Sequence, residues 1–274
     1  VTEHHIFTDV DLDKSCCFPF ASGQAAVFSA RRPGSDKPNQ DAAALIALGP
    51  STGVAVVSDG AGGHPSGADA AALAVHAVRD ALSGAQDLSQ GLRDAIINGF
   101  EEANQKIIAL GVGAAATMAV VEVDHGIMRA YHTGDSMVLV TGQRGLVKWM
   151  TVPHSPVGYA VESGLLHPDD ALHHEDLHLI SNSLGRQDMR IELGASLKLA
   201  QRDTVVLASD GLSDNLHLDE IVERVRKGSL QQAADRLASL GKARMQSPEG
   251  GSPSKPDDLT FIALRVGTRS RGLD

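Results

Sequence analysis

The chain is poor in aromatic residues, cysteine and basic excess, and it has no long apolar run. Only 3% of its 274 residues are Phe, Trp or Tyr, so a core drawn from 42% hydrophobic residues must be filled by alanine, valine and leucine. Such small side chains suit closely packed helices and sheets. The two cysteines, Cys16 and Cys17, are adjacent. Sequence neighbours rarely bridge each other, so there is no disulfide framework and no CxxC metal knuckle, and a reducing compartment is expected. With 24 basic against 34 acidic residues the formal charge is −10, which argues against a nucleic-acid or anionic-membrane surface. No segment approaches about 18 consecutive apolar residues, so no membrane span is expected. The opening VTEHHIFTDVDLDKS lacks the basic and apolar regions of a secretory signal, and a cytoplasmic location is the expectation.

What is present is an ordered series of apolar runs. Strands are expected at 22–29, 41–48 and 53–58, the last two joined as a hairpin by GPSTG. Helices follow at 66–82 and about 88–110, the second with Leu92, Ile96, Phe100, Ala103, Ile107 and Leu110 at helical spacing. Strands return at 115–123, 127–133, 136–141 and 145–149, then at 194–200 and 203–208. Two more helices (218–227 and 229–245) and a last strand (259–266) close the chain. Runs of strands alternating with helix pairs predict an α+β fold with antiparallel sheets, within a single domain spanning 1–274. Residues 1–20 are expected to form an irregular N-terminal extension, and 150–182, rich in His and Pro, a flap or insertion.

Five aspartates stand at strand ends or turns. Asp59 follows 53–58, Asp210 follows 203–208, Asp257 precedes 259–266, Asp135 lies in TGDS, and Asp41 ends KPNQD. A lone Asp-Gly after a strand is ordinarily a turn. Hard divalent cations, however, take oxygen ligands, and several carboxylates delivered by rigid strand ends would hold them. Gly60 could bring its carbonyl close to an ion because it lacks a side chain.

The set NQD, SDGAGGHPSG, TGDS, SDGLSD and KPDDLT, in that order between residues 39 and 260, resembles the metal-dependent protein serine/threonine phosphatases, the protein phosphatase 2C-like or PPM family, of bacterial type. Residues 153–185 are similar to the family's segment between its third and fourth motifs. The resemblance covers nearly the whole chain. It implies a four-layer α-β-β-α sandwich, two central antiparallel sheets flanked by helix pairs, with metals at one end. It further implies two Mn²⁺ or Mg²⁺ ions bridged by Asp59, with Gly60 giving its carbonyl to one and Asp210 and Asp257 completing the first. Asp41 would hold metal-bound water, and Asp135 would serve a third, weaker ion. The implied reaction is hydrolysis of phosphoserine and phosphothreonine in proteins by a hydroxide bridging the two ions, without a phosphoenzyme. Its partner is then a phosphorylated protein, the product of a serine/threonine kinase, and the chain is expected to act as a monomer.

This sequence departs from the family pattern at several points. Asp36 stands where many members carry a phosphate-gripping arginine, leaving Arg31 or Arg32 as substitutes. Ala61 replaces a histidine found after DG in some members, with His64 nearby; Met137 follows GDS, and Asp258 replaces an asparagine. These departures motivate an alternative, a weak or inactive phosphatase-like regulatory module; a hydrolase of small phosphate esters is a third reading. Other motifs carry less. GPSTG precedes a strand where a nucleophile elbow requires a helix, GVGAAA follows a helix where a dinucleotide motif requires a strand, and His174 and His178 have no obvious third ligand.

Overall fold

Strong alternation in the central strands explains the architecture. In β4 (Asp41–Ala47), Ala42, Ala44 and Ile46 face one apolar layer and Ala43 and Leu45 another. In β5 (Thr52–Asp59) the same split separates Val54 and Val56 from Ala55 and Val57. Successive strand side chains point to opposite faces, and here both faces are buried, so these strands read as continuous apolar runs. The computed structural model describes residues 3–61, 66–85, 88–247 and 252–266.

One sheet contains β4, β5, β1 (Glu3–Thr8), β6 (Met118–Asp124), β7 (Ile127–Thr133), β10 (Glu192–Leu193) and β11 (Leu197–Lys198), in the order β1-β4-β5-β6-β7-β10 with β11 also pairing β7. The other has the order β2-β3-β13-β12-β8-β9: β2 (Cys16–Phe20), β3 (Gly23–Ala30), β13 (Leu259–Arg265), β12 (Thr204–Ala208), β8 (Met137–Thr141) and β9 (Val147–Met150). Every strand pair is antiparallel. A core including Val27, Leu45, Val57, Val121, Val140, Leu207 and Ile262 fills the space between the sheets. Helices α1 (Gly67–Gly84) and α2 (Leu88–Ala109) cover the first sheet; α6 (Leu218–Val225) and α7 (Leu230–Gln246) cover the second. The result is the expected four-layer α+β sandwich.

Small residues set the layer spacing. A Cβ on Gly99 of α2 would lie 2.8 Å from the Val78 Cα of α1, so the two helices meet almost backbone to backbone. Ala70, Ala71, Ala74 and Ala77 let α1 approach the sheet in the same way.

Three expectations need correction. The irregular extension expected at 1–20 is not found among its described residues, 3–20: β1 and β2 form one edge of each sheet, β1 pairing with β4 and β2 with β3. Their alternation is polar on one side, as edge strands are, which weakened the hydrophobic signal. The strand expected at 194–200 is reduced to the two-residue β11, with β10 (Glu192–Leu193) just before that range; both pair with β7. A one-turn helix, α5 (Asp210–Ser213), follows β12 directly, where only a turn was expected. Residues 150–182 contain α3 (Pro156–Glu162), α4 (Pro168–Ala171) and a 3₁₀ turn at Glu175–His178. Pro at the first turn and the Ser155 hydroxyl, accepting from the Gly158 N–H at 2.9 Å, start α3.

Gly99→Leu is expected to destabilise the fold by about 1–3 kcal/mol, the usual range for overpacking, despite the better helix propensity of leucine. Urea denaturation measures it, and an unchanged midpoint would refute the close α1–α2 contact.

Candidate metal centre

The topology brings all five aspartates to one end of the sandwich. Asp41 opens β4 and Asp59 closes β5, and the two are paired across the ladder. In the other sheet, Ala208 at the end of β12 pairs with Phe261 of β13 and Met137 of β8. Asp210 therefore leaves its strand beside the chain that carries Asp257, and next to the turn that carries Asp135. That turn, Thr133 to Met137, passes from β7 in the first sheet to β8 in the second.

A buried polar network fixes the strand ends. Ser209 Oγ donates to Asp41 Oδ2 at 2.7 Å, and the Thr260 N–H donates to Ser209 Oγ at 3.1 Å. Asn39 Oδ1 accepts from the Asp41 N–H at 2.9 Å, while Asn39 Nδ2 donates to Ser29 Oγ at 3.0 Å; Ser29 and Thr260 hydroxyls are 2.7 Å apart. Thr117 Oγ1 accepts from the Asp59 N–H at 3.2 Å and lies 2.6 Å from Ser136 Oγ, joining the Asp59 strand end to the Asp135 turn. Satisfied networks of this kind rigidify a site because each broken bond would leave a buried group unpaired.

Two glycines in these motifs are required by space. A Cβ on Gly60 would lie 2.2 Å from the Gly67 carbonyl oxygen and 2.8 Å from that of Gln40. One on Gly211 would lie 1.8 Å from the Asp258 carbonyl oxygen.

The electrostatics show what the cleft demands. Burial, then Asp41, Asp210, Asp257 and Asp135, pushes the Asp59 carboxyl well above the usual carboxylate range. Burial raises Asp41 strongly against the opposing Ser209 hydroxyl, with Asp258 and Asp210 adding to the rise. Burial and Asp210 carry Asp135 to about 7, and Asp257 to about 6. Asp214, which was not singled out from the sequence, is raised by burial and Asp210. The countercharge is Lys255: its Nζ lies 2.7 Å from Asp210 Oδ2, 2.8 Å from Asp214 Oδ2 and 3.7 Å from Asp257 Oδ2. Burial disfavours its charge, but these acids hold the ammonium above its ordinary range. One ammonium against so many carboxylates leaves a surplus of negative charge, and added cations would relieve it. The donor set therefore fits hard divalent ions: carboxylates of Asp59, Asp210 and Asp257, and the carbonyl of a glycine that could carry no side chain.

Among the described residues, the one trio of candidate ligand atoms gathered within 4.8 Å is His132, His154 and Glu192. It is a closed hydrogen-bond set. His154 Nδ1 accepts from the Gly134 N–H at 3.1 Å and the Asn182 amide at 2.9 Å, so its Nε2 carries the proton and donates to Glu192 at 3.0 Å. His132 Nε2 lies 3.0 Å from the Val152 carbonyl, to which it donates. His154 thus braces the Asp135 turn from the flap segment. The aspartates are spaced more widely, which suits ions that keep several of their waters.

The remaining sequence candidates separate. Arg31 is engaged with Asp11, its Nε 3.2 Å from Asp11 Oδ2. Arg32 has an exposed side chain, and its backbone N–H donates to Asp258 Oδ1 at 2.6 Å. The other Asp258 oxygen accepts from the Gln40 N–H at 2.7 Å. Asp258 is thus a clamp between the Arg32 loop, the Asp41 motif and the start of β13. Asp36 is exposed. His64 lies outside the described residues. Asp214 could have been found as the last acid of SDGLSD, and His154 as the histidine of PHS, but neither spacing signals a role without the fold.

Fold and site together define a four-layer sandwich whose strand ends present carboxylates to a single cleft. Residues 30–247 match the protein phosphatase 2C family, and the chain belongs to that family. It is 30% identical to the protein phosphatase PhpP of Streptococcus pneumoniae over 174 residues, 61% of this chain and 70% of that one. Serine/threonine phosphatase Stp1 from Staphylococcus aureus superposes with a TM-score of 0.78 at 22% identity, over 89% of this chain and 95% of that one. The catalytic domain of serine threonine protein phosphatase PstP in complex with two manganese ions superposes with a TM-score of 0.69 at 24% identity, over 89% and 98%.

Two outcomes follow from this geometry. Asp258→Ala, which removes acceptors from two backbone N–H groups, is expected to lower stability by about 2–4 kcal/mol, and Asp258→Asn by less, as measured by chemical denaturation. The second concerns pH. Asp257 and Asp135 ionise near 6 and 7 in the fold, against about 4 when unfolded. Between those values the folded chain holds more protons, so these groups reduce the stability of the metal-free protein as pH rises. Ions must displace those protons, so the Tm gain of Mn²⁺ over chelator should grow between about pH 5 and 8. A gain independent of pH would contradict this assignment.

Proposed function

We propose that this 2C-type serine/threonine phosphatase hydrolyses phosphoserine and phosphothreonine in proteins, using water activated between two Mn²⁺ or Mg²⁺ ions in the aspartate cleft. The carrying observation is the convergence of Asp59, Asp210 and Asp257 beside Gly60, a position at which a side chain would collide with backbone. The names of the relatives and the two manganese ions of the PstP domain support the same reading. When bound, two such ions lower the pKa of water and neutralise charge on the phosphoryl oxygens.

The chain's own residues supply placement. Asp59, Asp210, Asp257 and the Gly60 carbonyl would hold the ions, with Asp59 as the carboxylate shared between them. Asp41, held by Ser209 and Asn39, orients the attacking water as a hydrogen-bond acceptor. Asp135 stands at the cleft where a third ion would bind. Arg32 is the better candidate to receive phosphate, because Arg31 is engaged with Asp11 and Asp258 anchors the Arg32 backbone next to Asp257. Ala61 offers no proton to the leaving alkoxide, so that proton comes from solvent water or another donor.

Substrate choice is assigned to the flap. A groove of about 1260 Å³ runs from Asp135 and Asp210 between the flap and α6, with Val157, Val161, Leu172 and Leu216 in its walls. Residues flanking a phosphosite would lie there, and the Asp169–His217 side-chain contact, at 3.3 Å, ties the flap to α6 across it. The substrate would be a protein phosphorylated by a serine/threonine kinase, with the phosphatase acting as a monomer.

Steady-state hydrolysis of a phosphothreonine peptide and of p-nitrophenyl phosphate with Mn²⁺, Mg²⁺ or chelator tests this proposal. Asp59→Asn should lose more than about 100-fold, and Asp41→Asn about 10–100-fold, with circular dichroism unchanged. Arg32→Ala should raise KM more than it lowers kcat, and Arg31→Ala should do neither. Metal binding by a folded chain that hydrolyses neither compound would instead favour a regulatory module.

A further inference from the structure

Lys255 is half-buried among the carboxylates that the proposed function assigns to ions. Its backbone is fixed before its side chain is considered. Asn215, fully buried, accepts from the Lys255 N–H through Oδ1 at 2.7 Å and donates to the Lys255 carbonyl through Nδ2 at 2.8 Å. The same Nδ2 donates to the Gly211 carbonyl at 3.0 Å, so one side chain ties the Lys255 segment to the helical turn that begins at Asp210. From that anchor the ammonium reaches Asp210 at 2.7 Å and Asp214 at 2.8 Å, with Asp257 at 3.7 Å. Asp214 is 7% exposed, and Lys255 is its ion-pair partner. A carboxylate buried to that degree is costly without a countercharge.

We propose that Lys255 is a resident cation of the acidic centre. It holds Asp210 and Asp214 in place when no metal is bound, and it occupies a position that a further divalent ion would otherwise take. This rests on the metal-centre reading above and changes its count: two ions are left to Asp59, Gly60, Asp210 and Asp257, while the ammonium serves the Asp214 side of the cleft. An ammonium has three donors, and three carboxylates surround this one. Its attachment to the backbone means it does not leave the chain when chelator removes exchangeable ions. The centre would therefore remain assembled in the apo state.

The test is Lys255→Met on the full chain, read by Mn²⁺ stoichiometry in equilibrium dialysis and by thermal denaturation with Mn²⁺ or chelator. The variant is expected to bind one more Mn²⁺ than the wild type. It should lose on the order of 5–10 °C in Tm in chelator, and clearly less when Mn²⁺ replaces the missing charge. An unchanged ion count, or a Tm loss as large in Mn²⁺ as in chelator, would overturn the proposal. Should Lys255→Met not fold without metal, Lys255→Met/Asp214→Asn removes the charge together with its buried partner. That double variant is expected to regain stability in chelator, and failure to regain any would equally count against it. Absence of Mn²⁺ binding by the wild type would refute the two-ion reading instead, and the chelator measurements would still judge the lysine.

Discussion

Repulsion between carboxylates is the constraint on which the rest of the structure turns. Asp59 alone feels four other aspartates, and burial adds to their effect. Left to itself, such a group would splay apart or take up protons. The fold resists through strands whose ends are fixed on both sides: Asp41 and Asp59 across one ladder, and Asp210 beside Asp257 across the other. The Ser209 hydroxyl then donates to the Asp41 carboxylate, and the Asp41 and Asp59 N–H groups donate to Asn39 and Thr117, which fixes the backbones. The stress that remains is what makes the cleft receptive to cations.

A sandwich buried on both faces of both sheets is well suited to this task. Alanine and valine strands pack without bulky side chains, and Gly99 lets α2 approach α1 closely. The interior is then stiff enough that one end of the sheets can carry charge density that a looser core would relax. Under the proposed function, specificity falls to the flap. The flap is built from short helical segments of four to seven residues, joined to the body by polar contacts that include the His154 bonds to the Asp135 turn and the Asp169–His217 pair. Loops set over a rigid scaffold are the common location of residues that contact substrate.

The departures from the family pattern take on definite meanings in three dimensions. Asp258, read from sequence as a replaced asparagine, is a two-armed acceptor that secures Arg32 and Gln40. That role needs an acceptor on each arm, which the two oxygens of a carboxylate supply and the single oxygen of an amide does not. Arg31 and Arg32 are equivalent in sequence, yet Asp11 engages the first and leaves the second exposed. Lys255 and Asp214 attracted no notice in the sequence because their chemistry depends on each other and on Asn215, and these residues meet only after α5 has folded against the start of β13.

The sequence by itself determined the order of strand runs and helix pairs and the aspartates at strand ends; the layers and the ligand set came from the family resemblance. Period-two and helical apolar patterns are local properties, and Asp-Gly motifs at strand ends are visible wherever apolar runs stop. The edge strands β1 and β2 were not legible, since a half-exposed strand has a diluted pattern; β1 pairs with the distant β4, while β2 turns straight into β3 through Ala21 and Ser22. Only the tertiary structure decided which side chains share a charge environment. It joined Asp41 to Ser209 across 168 positions and Lys255 to Asp210 across 45. Electrostatic coupling depends on distance through space and on burial, and neither quantity is written in the order of residues.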